Sequence, residues 1–131
     1  MSSIFKNFLV NWDDIPRENV SESIERQVIH GDELTIVKLY MKSGACVQTH
    51  SHPNEQFTWI LTGHIRFQYG ENLEHVVDLK LGDVLHLPAN IPHNATCIED
   101  TIDFDIFTPT REDWKLPTGN YYFSSTKNGS K

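Results

Sequence analysis

The 131 residues carry 18 acidic against 11 basic side chains, a formal charge of −7, with 38% hydrophobic and 11% aromatic residues. That length is one domain able to bury a core, and its acidic balance argues against nucleic acid and anionic membranes, whose recognition needs clustered Lys and Arg. No apolar run approaches the ~20 residues of a spanning helix, and two cysteines without C-x-x-C spacing make neither a disulfide framework nor a thiolate metal site, so the reading is a cytoplasmic globular protein.

In chain order, Ile4, Phe5, Phe8, Leu9 and Trp12 are apolar at roughly helical spacing and stop at Asp13-Asp14-Ile15-Pro16. This predicts an N-terminal arm over residues 1–14 that packs on the domain or on a partner subunit, with a homodimer as the expected assembly. Strands are predicted at 24–30, 34–41, 45–50, 56–62, 64–69, 76–79, 84–87, 93–98 and 102–107, rich in β-branched and aromatic residues and separated by Gly, Pro and Asn. Such short, evenly spaced strands describe an all-β sandwich or barrel rather than an α/β alternation. From residue 115 a tail follows, with a Leu116-Pro117-Thr118-Gly119 break, an aromatic Tyr121-Tyr122-Phe123 cluster expected to pack on the barrel or another subunit, and a polar end.

Chemistry concentrates in two places. His50 and His52 are two apart, so on a strand both imidazoles leave one face; Gln56 follows a Pro53-Asn54 turn signal and can fold back beside them. Alone, His-x-His reads as a pair of surface histidines. A second strand-turn-histidine cluster from Gly82 to His93 makes the ligand reading the stronger one. Alternation puts Gln48 and Cys46 on the face of His50, Thr58 and Ile60 on the face of Gln56, and Ala95 and Cys97 on the face of His93. Asp103, Asp105 and Phe107 share a face opposite Phe104 and Ile106, and periodicity does not say which face looks inward. His86, sharing a face with Val84, and Gln48 are candidate polar walls of a pocket. His64 and His75 read as exposed bystanders. Taken on their own, Arg111 reads as a surface residue pairing with Glu112 or Asp113, and Asp105 as an edge carboxylate.

The two clusters resemble the motifs of the cupin superfamily, G-x5-H-x-H-x3,4-E-x6-G and G-x5-P-x-G-x2-H-x3-N. Gly44, His50, His52, Gln56 and Gly63 fall on the first, and Gly82, Pro88 and His93 on the second. Gln56 stands where Glu is usual, Asn90 where Gly is, and Cys97 where Asn is. The resemblance implies a double-stranded β-helix, the jelly-roll barrel, over one domain spanning 1–131. It also implies one divalent metal ion on His50, His52, Gln56 and His93, and this donor set does not separate Ni, Zn, Fe and Mn.

The segment from Asp105 to Asp113 resembles the D-x-F-T-P-x-R-E-D stretch of the small pectin-degradation cupins of the KdgF type, which open the ring of 4,5-unsaturated uronates. His50 to Gln56 matches their H-S-H-P-x-E-Q, with Gln as the metal ligand. This likeness implies a small anionic substrate, catalytic roles for Asp105 and Arg111, and a substrate-lining Phe107. Neutral ligands leave a divalent cation its full charge for an anion, and Arg111 offers a bidentate clamp. An iron-dependent dioxygenase, a non-catalytic small-molecule binder, and an isomerase or lyase on another small carboxylate share these residues. In the cupin barrel the strands of His50 and His93 are antiparallel neighbours, which sets Cys46 opposite Cys97, their Cα atoms ~4.5–5.5 Å apart as free thiols.

Overall fold

The computed structural model describes residues 8–115 and 123–124; Ile4, Phe5, Tyr121 and Tyr122 lie outside the described residues. Eleven strands are present among those described: β1 (Glu18–Ser21), β2 (Ile24–His30), β3 (Thr35–Met41), β4 (Cys46–His50), β5 (Glu55–Thr62), β6 (His64–Tyr69), β7 (His75–Lys80), β8 (Val84–Leu87), β9 (His93–Cys97), β10 (Thr101–Thr108) and β11 (Phe123–Ser124). They form two antiparallel sheets, ordered β1-β2-β3-β10-β5-β8 and β11-β4-β9-β6-β7. This is the jelly-roll arrangement expected, and nine strands lie where alternation puts them. No described helix is long and apolar enough to cross a membrane.

Two strands lie outside the predicted set. β1 reads Glu-Asn-Val-Ser and holds its edge position through Glu18, whose carboxylate accepts from Arg26 Nε at 2.8 Å. β11 pairs with β4 through Phe123↔Val47 and Ser124↔Cys46, inside the stretch read as tail. The N-terminal arm differs from its helical spacing too. Its described part holds one 3-10 turn, Trp12–Asp14, capped by Asn11 Oδ1 accepting from Asp13 N at 2.8 Å. Trp12 stacks on Phe104 with ring centroids 5.6 Å apart, whereas Phe8 is fully exposed.

The inner faces of the two sheets close on Val37, Leu39, Met41, Ile60, Ile65, Phe67, Leu79 and Leu87. Each such side chain contributes about 1.5–3 kcal/mol by leaving water. Gly63, at φ 100°, makes the β5–β6 turn. A Cβ there would sit 2.2 Å from Asp100 O, so only glycine fits. Asn90 takes φ 67°, the left-handed conformation that the family's Gly would supply and that Asn tolerates better than other side chains.

β10, in the interior of the larger sheet, inverts the usual alternation. Its inward face is Thr101, Asp103, Asp105 and Phe107, all buried, while Ile102, Phe104 and Ile106 face out and are half-buried. The outer row is sheltered by Trp12 and Trp59 against Phe104. Two carboxyls thus occupy core positions of a strand whose hydrophobic row faces away. That departure from ordinary burial marks a site.

The opposition of the cysteines is corrected by the register. Cys46 pairs with Thr96 and Val47 with Ala95, but His50 pairs with His93, so an extra residue is accommodated between Val47 and His50. The irregularity flips the parity. Val47 packs against the core, whereas Cys46 and Gln48 line an outer groove with Thr49 and Gln68. Cys97 points into the core, its thiol 3.8 Å from Met41 Sδ, and Cys46 Sγ lies 4.0 Å from Thr96 Oγ1. Both thiols are free and buried, on opposite faces of the sheet.

Candidate metal centre

Three elements bring the histidines together. His50 ends β4, His93 begins β9 directly opposite it, and His52 sits in the turn leading to β5. One nitrogen from each ring lies within 4.8 Å of the other two. Each ring is held by its other nitrogen. Nδ1 of His50 faces Gln48 O at 2.7 Å, Nδ1 of His52 faces Asn54 O at 3.0 Å, and Nδ1 of His93 faces Ile91 O at 2.9 Å. A carbonyl only accepts, so each Nδ1 carries the proton and the Nε2 lone pair is the atom each ring can offer a cation. Burial, then the neighbouring His93 ring, pushes His50 down to about 3; burial pushes His93 down to about 4 and lowers His52 as well. The cluster is three neutral imidazoles at neutral pH.

Gln56, buried on β5, completes the group. Its Oε1 lies 3.0 Å from His52 Nε2 and its Nε2 donates to Thr58 Oγ1 at 2.8 Å. With His52 Nδ1 protonated, Nε2 and Oε1 are two lone pairs facing each other. Nothing among the described residues bridges them, and a cation shared by both would relieve the repulsion. The residues present therefore fit a divalent ion bound by imidazole nitrogen and amide oxygen.

A cavity adjoins the cluster between the two sheets. His50, Gln56 and His93 line one part of it; Asp103, Asp105, Phe107 and Arg111 line another. Thr58 donates to Asp105 Oδ1 at 2.7 Å. Burial pushes Asp105 up to about 7 against the pull of that hydrogen bond and of Arg111. Asp103 is raised well above the usual carboxylate range, first by burial and then by Asp105, and its Oδ1 has no hydrogen-bond partner among the described residues.

Arg111 is buried, at 1% exposure, not the surface residue its position suggested. It does pair with Asp113, which accepts from Nε at 3.1 Å and Nη2 at 2.8 Å. Its guanidinium stacks on Trp114 at 4.0 Å and on Phe107 at 4.7 Å. Its backbone N donates to Thr35 Oγ1 at 3.0 Å, and Asn54 Nδ2 donates to Pro109 O and Thr110 O, tying this segment to the His52 turn. The two bonds to Asp113 and the stacking on Trp114 pre-set the arginine fork at the cavity.

The remaining candidates lie elsewhere. His86 pairs with Phe57 across β8 and β5, on the outer face; it stacks on the Phe57 ring at 4.7 Å and its Nε2 is 2.6 Å from Glu55 Oε2. The inward residues of β8 are Leu85 and Leu87, opposite Thr58 and Gln56, so strand parity excludes His86 from the cavity. Gln48 contributes its carbonyl to His50, and its side chain belongs to the outer groove. His75 is exposed as expected, but His64 is largely buried and faces Asp78 at 3.3 Å. Sequence reasoning assigned no role to Asp103, Thr58 or Trp114. The two carboxyls in one strand face were the available signal for Asp103, and alternation with Gln56 for Thr58.

The Cupin domain profile matches residues 38–108. No curated protein matches the chain. Among solved structures, it is similar to an RmlC-like cupin from Shewanella frigidimarina, with 26% identity over 78% of this chain and 90% of that one, TM-score 0.72. It is similar also to KdgF from Halomonas sp., with 26% identity over 79% and 95% of the two chains, TM-score 0.71. An oxalate decarboxylase from Bacillus subtilis shares the fold at 16% identity and TM-score 0.73, over 91% of this chain and 42% of the other.

Proposed function

This chain belongs to the cupin family, and from that premise we propose that it is a metal-dependent enzyme that opens the ring of a 4,5-unsaturated uronate to the linear keto-uronate. The observation that carries the reading is that Asp105 and Arg111 share one cavity with His50, Gln56 and His93. The likeness to KdgF from Halomonas supports it.

His50, His52, Gln56 and His93 would hold the divalent ion, which when bound supplies positive charge and Lewis acidity toward the substrate's oxygens. Arg111, fixed by Asp113 and stacked between aromatic rings, directs its remaining donors at a carboxylate. Phe107 forms an apolar wall that orients the sugar ring edge. Ring opening breaks the bond between the anomeric carbon and the ring oxygen, removes the anomeric hydroxyl proton and delivers a proton to the enol-ether carbon. Asp105 is suited to both transfers, because a carboxyl held near 7 takes and returns a proton at neutral pH. The reaction is an isomerisation and consumes no oxygen.

The test is to incubate metal-reconstituted protein with an unsaturated uronate and follow the ultraviolet absorbance of the conjugated enol ether. The expected result is a first-order loss of absorbance that persists under anaerobic conditions. Absorbance that stays constant, or is lost only with oxygen present, would reject the assignment.

A further inference from the structure

Gln56 is a neutral amide in a position where the family usually has a carboxylate, and an amide has a wrong way round. Turned by half a rotation about its last bond, it would present an NH2 group to the histidines and could not ligate a cation. What fixes its direction is visible one layer behind it. Thr58, at 0% exposure, lies two residues along β5 on the same face. Its hydroxyl has one proton, and with Asp105 as the carboxylate, the form that begins the proposed reaction, that proton is committed to Asp105 Oδ1 at 2.7 Å. Toward Gln56 the same oxygen can therefore only accept, and it does so from Nε2 at 2.8 Å. The amide is left with Oε1 pointing at His52 Nε2, 3.0 Å away.

We propose that Thr58 is a positioning residue of the metal site: by donating to Asp105 it becomes an acceptor toward Gln56 and turns the Gln56 carbonyl oxygen to the histidines. The chain Asp105, Thr58, Gln56 has a single polarity, so the carboxyl facing the substrate cavity sets the orientation of a metal ligand two hydrogen bonds away. A Glu at position 56 would need no such device, since both its ends are oxygen. The inference rests on the metal reading of the histidine cluster.

The experiment measures Zn2+ affinity of the metal-stripped protein by competition with a chelating dye, in a double-mutant cycle. Thr58→Val should weaken binding on the order of 10–100-fold, the usual effect of losing a residue that orients a ligand, while Thr58→Ser, which keeps the hydroxyl, should stay within about threefold. In a Gln56→Glu background Thr58→Val should change affinity by less than about threefold, because a carboxylate cannot be turned the wrong way. Circular dichroism monitors folding, and Thr58→Ala carries the comparison should the valine variant not fold. Unchanged affinity in the valine variant, or an equal loss in both backgrounds, overturns the positioning role. Failure of the parent and of Gln56→Glu alike to bind Zn2+ overturns the metal reading itself, and is distinguished because the parent protein is then silent.

Discussion

His50 and His93 stand directly opposite each other across β4 and β9, their ring centroids 4.3 Å apart. Neutral rings gain little from such closeness, and burial has already made their protonation unfavourable. The arrangement is what a shared cation would require. His50→Ala and His93→Ala should each lose stoichiometric divalent metal after purification, measured by elemental analysis, while His86→Ala, on the outer face, should retain it. Full occupancy in both ligand variants would reject the centre.

Charge is the next property open to test. Three imidazoles and an amide leave the ion its full +2, whereas Gln56→Glu cancels one unit. Metal content should hold or rise in that variant while KM for a carboxylate substrate increases, on the order of tenfold for ~1.4 kcal/mol of lost attraction. An unchanged KM would show that the substrate does not sense the ion's charge.

The candidate ligands were legible because metal binding needs side chains of rare type at fixed separation, and both motifs carry them: His50, His52 and His93 converge, with Gln56 Oε1 beside His52. The strands were legible because each buries one face. What escaped depends on geometry that period two cannot encode. The irregularity between Val47 and His50 flips Cys46 and Gln48 away from the interior, and a parity count from His50 cannot detect it. β1 has no apolar row to read, and β11 is two residues of a stretch read as an aromatic cluster and tail rather than as a strand. Both faces of β10 carry apolar residues, so periodicity left its inward face open, and only tertiary placement puts Asp103, Asp105 and Phe107 inside. Arg111 is one of many arginines beside acidic residues until Trp114 and Phe107 enclose it.

Asp103 should cost the protein stability as pH rises. Its folded-state carboxyl is raised well above the ordinary range by burial, so between the unfolded value and the folded one the native state holds more protons. Stability contributed by this group is therefore present below the unfolded value near ~3.9 and falls as pH rises through the folded one. Asp103→Asn, an isostere without the ionisation, should leave Tm near pH 4 almost unchanged and raise it at pH 8, where the buried carboxyl opposes folding. Thermal melts at the two pH values check this. An equal shift at both would mean that the effect is packing rather than ionisation.

Asp105 and Arg111 should separate in kinetics, because one moves a proton and the other holds the substrate. Asp105→Asn removes the group that takes and returns the proton, and should lower kcat on the order of 10²–10⁴-fold with metal content intact. Arg111→Ala should instead act mostly on KM, since its guanidinium is already fixed by Asp113 and by stacking on Trp114 and pays little to meet a carboxylate. The pH profile distinguishes the two further. Asp105 must begin as carboxylate to accept the anomeric proton, so kcat/KM should fall toward acid with a midpoint at or below about 7, where burial places the group before a cation draws it lower. That limb should persist in Arg111→Ala and vanish in Asp105→Asn. Near-parental rates in both variants, or an acid limb that survives Asp105→Asn, would show that this carboxyl is not the proton carrier.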